Sequence, residues 1–465
     1  MNSLQREPGS FRDPSGHVYV DGGRVVRTVM PVAAEDFAFV RQSGAREALA
    51  ERGALIAAAD VDPRGLGAVA ANATHALEHP RLPFISYPYE WSFPLLQRAA
   101  LHHLEVQLEV LARGVTLSDA SAYNIQFQGV RPIFIDYLSF KRYREGELWQ
   151  AHRQFCEQFL VPLLLRSEFG VPHNAWYRGA LEGISVEELN RLLPFRRKLS
   201  WNIFTHIVLQ SALGGAAKAN VSSSSAIAQA KLPLASHRNM LMRLKDWIAQ
   251  LKPRDRSKTT WSDYADTHSY AADEFETKKR FIANFVAAAK PRMVWDVGCN
   301  TGEFSEVALA AGAEQVVGFD FDQGAIQGAF ARADSRKLWF LPLWLDAANP
   351  SPSQGWSQGE RRGLSERASA DGLIAVALIH HIAITRNVPL DQVVGWLMSL
   401  APRGVIEFVP KPDPMVQRLL ALRADIFPDY TEPAFADALR KRGRIVASEQ
   451  TTRTGRTLFW YDASA

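Results

Sequence analysis

The 465-residue sequence holds only two cysteines, Cys156 and Cys299. Two thiols build neither a disulfide framework nor a cysteine-rich zinc site, and their scarcity fits a reducing compartment, so a cytoplasmic location is expected. Long apolar runs are missing too. The longest, around "DGLIAVALIHHIAI", is broken by His380 and His381, short of the roughly 18 residues that a membrane-spanning helix needs. The opening "MNSLQREPGSFRDPSG" lacks the apolar block of a signal peptide. No transmembrane segment is expected. Charge of one sign is not in excess: 53 Lys and Arg against 49 Asp and Glu leave +4, too little to call for a nucleic-acid partner.

What is present is a globular composition, 47% hydrophobic and 22% charged, in a chain long enough for two or three domains. The clearest punctuation is "GGAAKANVSSSSAIAQAK", Gly214 to Lys231, a small-residue and serine-rich stretch expected to connect domains. In "SHRNMLMRLKDWIAQLKPRDRSK" that follows, Leu241, Leu244, Trp247, Ile248 and Leu251 recur at helical spacing. The spacing predicts an amphipathic helix whose apolar stripe docks on a neighbouring domain. Three parts result: residues 1–213, a linker and helix over 214–258, and 259–465.

Downstream, the strand-like runs "MVWDVG", "QVVGFDF", "LWFLPLWL", "DGLIAVALI" and "RGVIEFVP" alternate with helical patterns. That rhythm predicts a doubly wound α/β domain with a parallel, Rossmann-like sheet. The last segment, "RIVASEQTTRTGRTLFWYDA", breaks the rhythm and reads as an antiparallel hairpin at a sheet edge.

In such a sheet the ligand lies beyond the carboxyl ends of the strands, beside the first strand-to-helix turn. Here that turn is "DVGCNTG", with Asp296, Gly298, Cys299, Asn300 and Gly302. The Gly-Lys-Ser/Thr of a phosphate-cradling loop is absent, and Asn300 stands where a dinucleotide fingerprint has its second glycine. The second strand ends in Asp320, followed by Phe321 and Asp322. An acid at that tip accepts both hydroxyl protons of a ribose. A ribose without a pyrophosphate is the ligand that fits. Asp346, in "WLDAANP", is placed to accept from an exocyclic amine, and Asp322 reads as a helix N-cap.

With these elements in order, the chain from about Trp261 onward resembles the class I S-adenosylmethionine-dependent methyltransferases. The resemblance implies S-adenosylmethionine as cofactor, with Asp296, Gly298 and Gly302 at its methionine moiety, Cys299, Asn300 and Phe321 beside it, Asp320 at the ribose and Asp346 at the adenine. Methyl transfer from a sulfonium is an in-line displacement that needs a base when the acceptor is a hydroxyl. His380, His381 and Glu407 are the candidates. Adjacent histidines on a strand point to opposite faces, so no metal site is expected from them. "LLALRADIFPDYTEPAF", with Arg423, Asp429 and Tyr430, is expected to form an acceptor lid, and Trp261, Tyr264 and Tyr270 either close over the cofactor or pack on the sheet.

Upstream, a helix ending at "ARG" leads into "LSDASAYN", which spaces Asp119 and Asn124 five apart, and a hairpin then reaches Asp136 in "FIDY". An acid that orients a hydroxyl, an asparagine and a second acid on metal are the working parts of phosphoryl transfer. The stretch resembles the catalytic and metal loops of the protein kinase and aminoglycoside phosphotransferase superfamily, which implies an α+β kinase-like domain. Leu117 replaces the usual histidine, "DYL" replaces Asp-Phe-Gly, and "HVYVDGGRVVRTVMP" shows no glycine-rich loop and no phosphate-gripping lysine. The domain is therefore expected to be degenerate.

The whole resembles bacterial methyltransferases of the nodulation and surface-polysaccharide type. That implies O-methylation of a sugar, glycan precursor or other small-molecule hydroxyl. Two other readings compete. A bifunctional or kinase-centred phosphotransferase requires nucleotide binding dependent on Asp136, and a non-catalytic sensor binds S-adenosylmethionine without turnover.

Overall fold

The computed structural model describes residues 4–213, 231–255, 272–421 and 423–464. The serine-rich connection and the aromatics Trp261, Tyr264 and Tyr270 lie outside the described residues.

The N-terminal half opens with an antiparallel sheet ordered β1-β2-β3-β5-β4, where β1 is Gln5–Arg6, β2 Val18–Asp21, β3 Arg24–Val29, β4 Ala59–Val61 and β5 His75–His79. The long helix Phe93–Leu111 follows, and twelve of its nineteen side chains are buried. Two short antiparallel pairs complete the half. β6 (Val115–Leu117) pairs with β9 (Phe140–Arg142), and β7 (Ile125–Gln128) with β8 (Arg131–Phe134) in a hairpin that turns at Gly129, φ +58°.

The helix Leu234–Gln250 lies along Phe93–Leu111. Leu241, Leu244 and Ile248 are fully buried there, and Gln97 donates to the carbonyls of Ile248 and Leu251. The apolar stripe is thus docked on the N-terminal half.

The C-terminal half forms a seven-stranded sheet: β10 Met293–Val297, β11 Gln315–Asp320, β12 Phe340–Trp344, β13 Gly372–Ala375, β14 Arg403–Phe408, β15 Arg444–Gln450 and β16 Thr457–Asp462. Its order is β12-β11-β10-β13-β14-β16-β15. The pairs from β12 to β14 are parallel, whereas β16 runs antiparallel to both β14 and β15. Every residue of β10 is buried, as a strand covered on both faces requires. Along the edge strand β15, exposed residues alternate with half-buried ones. Because β10 is flanked by β11 and β13, the chain winds outward both ways from it, and a crevice opens at the carboxyl ends of β10 and β13.

The two halves share one continuous hydrophobic cluster. Phe84 meets Trp295 and Phe319 edge-on, with ring centroids 5.6 and 6.2 Å apart. Beside them Arg367 forms a buried bidentate pair with Glu90 and spans Phe84 and Tyr87. A half-exposed pair, Arg98 with Asp334 at 2.9 Å, lies on the surface of the same contact. None of the described helices is long and apolar enough to cross a membrane.

Candidate cofactor site

A cavity of about 340 Å³ occupies the crevice. Four loops, after β10, β11, β12 and β13, build its walls. The first follows β10, where Gly298 (φ +85°) and Asn300 (φ +49°) take left-handed torsions that glycine and asparagine tolerate best. Gly298, Cys299 and Asn300 line the cavity, and Asn300 Oδ1 is a buried acceptor without a hydrogen-bond partner among the described residues. Gly302 instead starts the helix Glu303–Ala310 with φ +86°, where a Cβ would stand 2.5 Å from the Phe340 ring. Its role is to let helix and strand approach. It is not part of the wall.

The second loop follows β11. Asp320 lines the cavity, and its oxygens accept from the backbone N–H groups of Asn300 (2.8 Å) and Asp322 (2.9 Å). Burial raises its carboxyl to about 6, despite these donors. Phe321 shows a largely exposed ring at the wall, beside Trp344. Asp322 caps the helix Gln323–Ser335 by accepting from Gly324 and Ala325, the N-cap role read from sequence, and it also borders the cavity. The third loop brings Asp346, which accepts from Ala348 N–H and from Arg386 at 3.3 Å.

The proposed bases separate sharply. His381 lines the cavity, and burial together with Arg456 lowers its pKa to about 4, so its ring is neutral at physiological pH. His380 is buried outside the wall. Glu407 is wholly buried, 2.5 Å from Lys278 Nζ, and accepts from Ala377 N–H at 2.8 Å. It is paired with Lys278 and does not line the cavity. Asp296 is also behind the wall: it accepts from Ser305 Oγ at 2.6 Å, and burial raises it to about 7. Of the expected lid residues, Tyr430 is buried and donates to Val409 O, and Arg423, Asp429 and Tyr430 all stand away from the cavity.

Sequence reasoning missed Phe275, Lys278 and Glu303, which complete the wall. Glu303 was legible, since it is the first helical residue after the glycine turn. Phe275 and Lys278 belong to the helix Ala272–Ala289 and reach the cavity only through tertiary packing. The wall's charge is informative. Glu303, Asp320, Asp322 and Asp346 supply four carboxyl groups against the two cations Lys278 and Arg386; Glu303 is paired with Arg332, Asp346 with Arg386 and Lys278 with Glu407. Such a cavity favours a cationic ligand over an anionic one.

In the N-terminal half, Asn124 Nδ2 donates to Asp119 Oδ2 at 2.8 Å and reaches Asp136 Oδ2 at 3.5 Å, so the three predicted residues come together. Arg27 on β3, unnoticed in the sequence, donates to Asp136 Oδ1 at 2.7 Å, and Ser139 donates to Oδ2. Burial and the neighbouring Asp136 raise the pKa of Asp119.

The fold defines an α/β protein with a cavity at the switch point of a mainly parallel sheet. The chain is 47% identical over 463 residues to the nodulation protein NoeA of Rhizobium meliloti (strain 1021), a match spanning 99% of this chain and 96% of the relative. It belongs to that protein's family. No family model matches it. Among solved structures it overlaps the PH0226 protein from Pyrococcus horikoshii OT3 (18% identity, 44% of this chain and 99% of that one, TM-score 0.31). It also overlaps the bifunctional kinase-methyltransferase WbdD (16%, 47% and 46%, 0.30) and an O-methyltransferase family protein from Burkholderia thailandensis (14%, 41% and 56%, 0.30). Overlaps of this size do not establish a common fold.

Proposed function

We propose that the chain is an S-adenosylmethionine-dependent methyltransferase acting on a hydroxyl of a sugar, glycan precursor or similar small molecule. The observation that carries this reading is the acidic cavity at the β10/β13 crevice. S-adenosylmethionine brings a sulfonium and an ammonium, both cationic, together with a ribose and an adenine. Its carboxylate is its one anion. ATP and dinucleotides would set phosphates against the same carboxyl groups. Asn300 Oδ1 offers the ammonium an acceptor, Asp320 suits the ribose hydroxyls, and Asp346 and Phe321 suit the adenine edge and face. When bound, the cofactor supplies an activated methyl group. The chain's own residues hold it and exclude water, and His381 accepts the hydroxyl proton.

The kinase-like half reads better as a docking or acceptor-binding module than as a phosphotransferase. Arg27 and Ser139 both occupy Asp136, the acid that would hold metal.

The test is transfer of tritium from methyl-labelled S-adenosylmethionine to a panel of oligosaccharides and nucleotide sugars. An alkali-stable methyl ether on a hydroxyl is expected. His381→Ala should slow transfer about a hundredfold while leaving cofactor affinity within about twofold; the low end of general-base effects applies because a base titrating near 4 draws protons weakly. Cofactor binding with no transfer to any acceptor would instead favour a sensor.

A further inference from the structure

Far from the cavity, the N-terminal half gathers a buried His–Cys cluster that the methyltransferase reading does not use. His152 Nε2 stands 2.9 Å from His206 Nδ1 and 3.7 Å from Cys156 Sγ, and the three donor atoms all lie within 4.8 Å of one another. Tetrahedral zinc, with Zn–N of about 2.05 Å and Zn–S of about 2.3 Å, spaces two nitrogens roughly 3.3 Å apart and a nitrogen and sulfur roughly 3.6 Å apart. The spacing between Cys156 Sγ and His152 Nε2 matches, and the nitrogen pair needs to open by about 0.4 Å.

The local backbone serves the same end. His152 and Cys156 are four residues apart on one helical face. The turn carrying Cys156, Cys156–Leu160, is π-helical, and so is Phe204–Val208, which carries His206. Such wide turns are rare, re-aim side chains and gather at functional sites. A second observation is independent of the trio. His237, on the helix Leu234–Gln250, is 1% exposed, and neither ring nitrogen has a hydrogen-bond partner among the described residues. Trp247, from the same helix, stacks on the His206 ring at 6.2 Å. Burying an unpaired ring nitrogen is unfavourable.

We propose that His152, Cys156 and His206 bind a zinc-class divalent cation. The imidazoles ligate in their neutral form, and the Cys156 thiol gives up its proton to solvent as the sulfur–metal bond forms. The ion would fasten the helical turn at 152–160 to the turn at 204–208. Its existence does not depend on the methyltransferase reading.

The test uses the full chain, purified without chelators or metal-affinity resin. Elemental analysis should find one zinc per chain after equilibration with zinc and gel filtration. Exchange with Co2+ should give the near-ultraviolet sulfur-to-cobalt charge-transfer absorption and the visible bands of tetrahedral cobalt. Cys156→Ser should abolish the charge-transfer absorption, His206→Ala should lower zinc occupancy more than tenfold, and Cys299→Ser should change neither. Only trace zinc in the wild-type chain with no cobalt spectrum, a measurement that needs no variant, would overturn the proposal. So would a charge-transfer absorption that survives Cys156→Ser.

Discussion

Asp320→Ala is expected to weaken S-adenosylmethionine binding by about a thousandfold. A carboxylate that accepts both ribose hydroxyls makes two charge-assisted hydrogen bonds, each contributing about 1.5–3 kcal/mol, and the sum approaches 4 kcal/mol at the low to middle part of that range. Asp320 also fixes the loop by accepting from Asn300 and Asp322 N–H. Asp320→Asn keeps the shape and one acceptor, so its loss should be intermediate. Equal losses for both variants would show that the loop, not the ribose contact, is responsible.

The same group sets a pH dependence whose sign is fixed. Burial lifts Asp320 from its ordinary 3.8 to about 6 in the free protein. Its ionised form therefore burdens the fold increasingly as pH rises from about 4 to 6, and the penalty is full above 6. Ribose recognition needs that ionised form. Affinity should be flat above pH 6 and fall, by up to about tenfold per unit, as pH drops below it. Asp320→Asn should lose this limb.

Glu90→Ala is expected to destabilise the chain by about 3–5 kcal/mol, read as an earlier first transition in urea. Both side chains of the Glu90–Arg367 pair are 5% exposed or less. Truncating Glu90 leaves the guanidinium inside the contact between halves, with Ile85 O, Arg362 O and Ser351 Oγ as its remaining hydrogen-bond partners among the described residues. Arg98→Ala removes a pair about one-third exposed on each side and should cost less than about 1 kcal/mol. Similar small losses for the two variants would mean that the halves are held by the Phe84–Trp295–Phe319 contact alone.

Much of the C-terminal fold was legible because its physics is local. Strands β10 to β14 are largely buried and so appear as mainly apolar runs, and "RTGR" marks the β15–β16 turn with Gly455 at φ +90°. The glycine turn and Asp320 were legible for the same reason. What the sequence hid depends on distant residues meeting. His380 and His381 are neighbours in the chain, yet only packing decides that one lines the cavity and the other the core. Glu407 reads as a strand-end base until Lys278 is seen against it. Arg27 lies 109 residues from Asp136, and His206 lies 54 from His152, so neither partnership leaves a mark in spacing. Two cysteines ruled out a cysteine-rich site but said nothing of one cysteine among histidines.

The central claim, that the acidic crevice holds S-adenosylmethionine, is tested most directly by calorimetric titration of the full chain with S-adenosylmethionine and, separately, with ATP. The account predicts saturable one-to-one binding of S-adenosylmethionine that Asp320→Ala abolishes at the same concentrations, and no ATP binding at this site. Absence of S-adenosylmethionine binding by the wild-type chain, or ATP binding that Asp320→Ala removes, would contradict it.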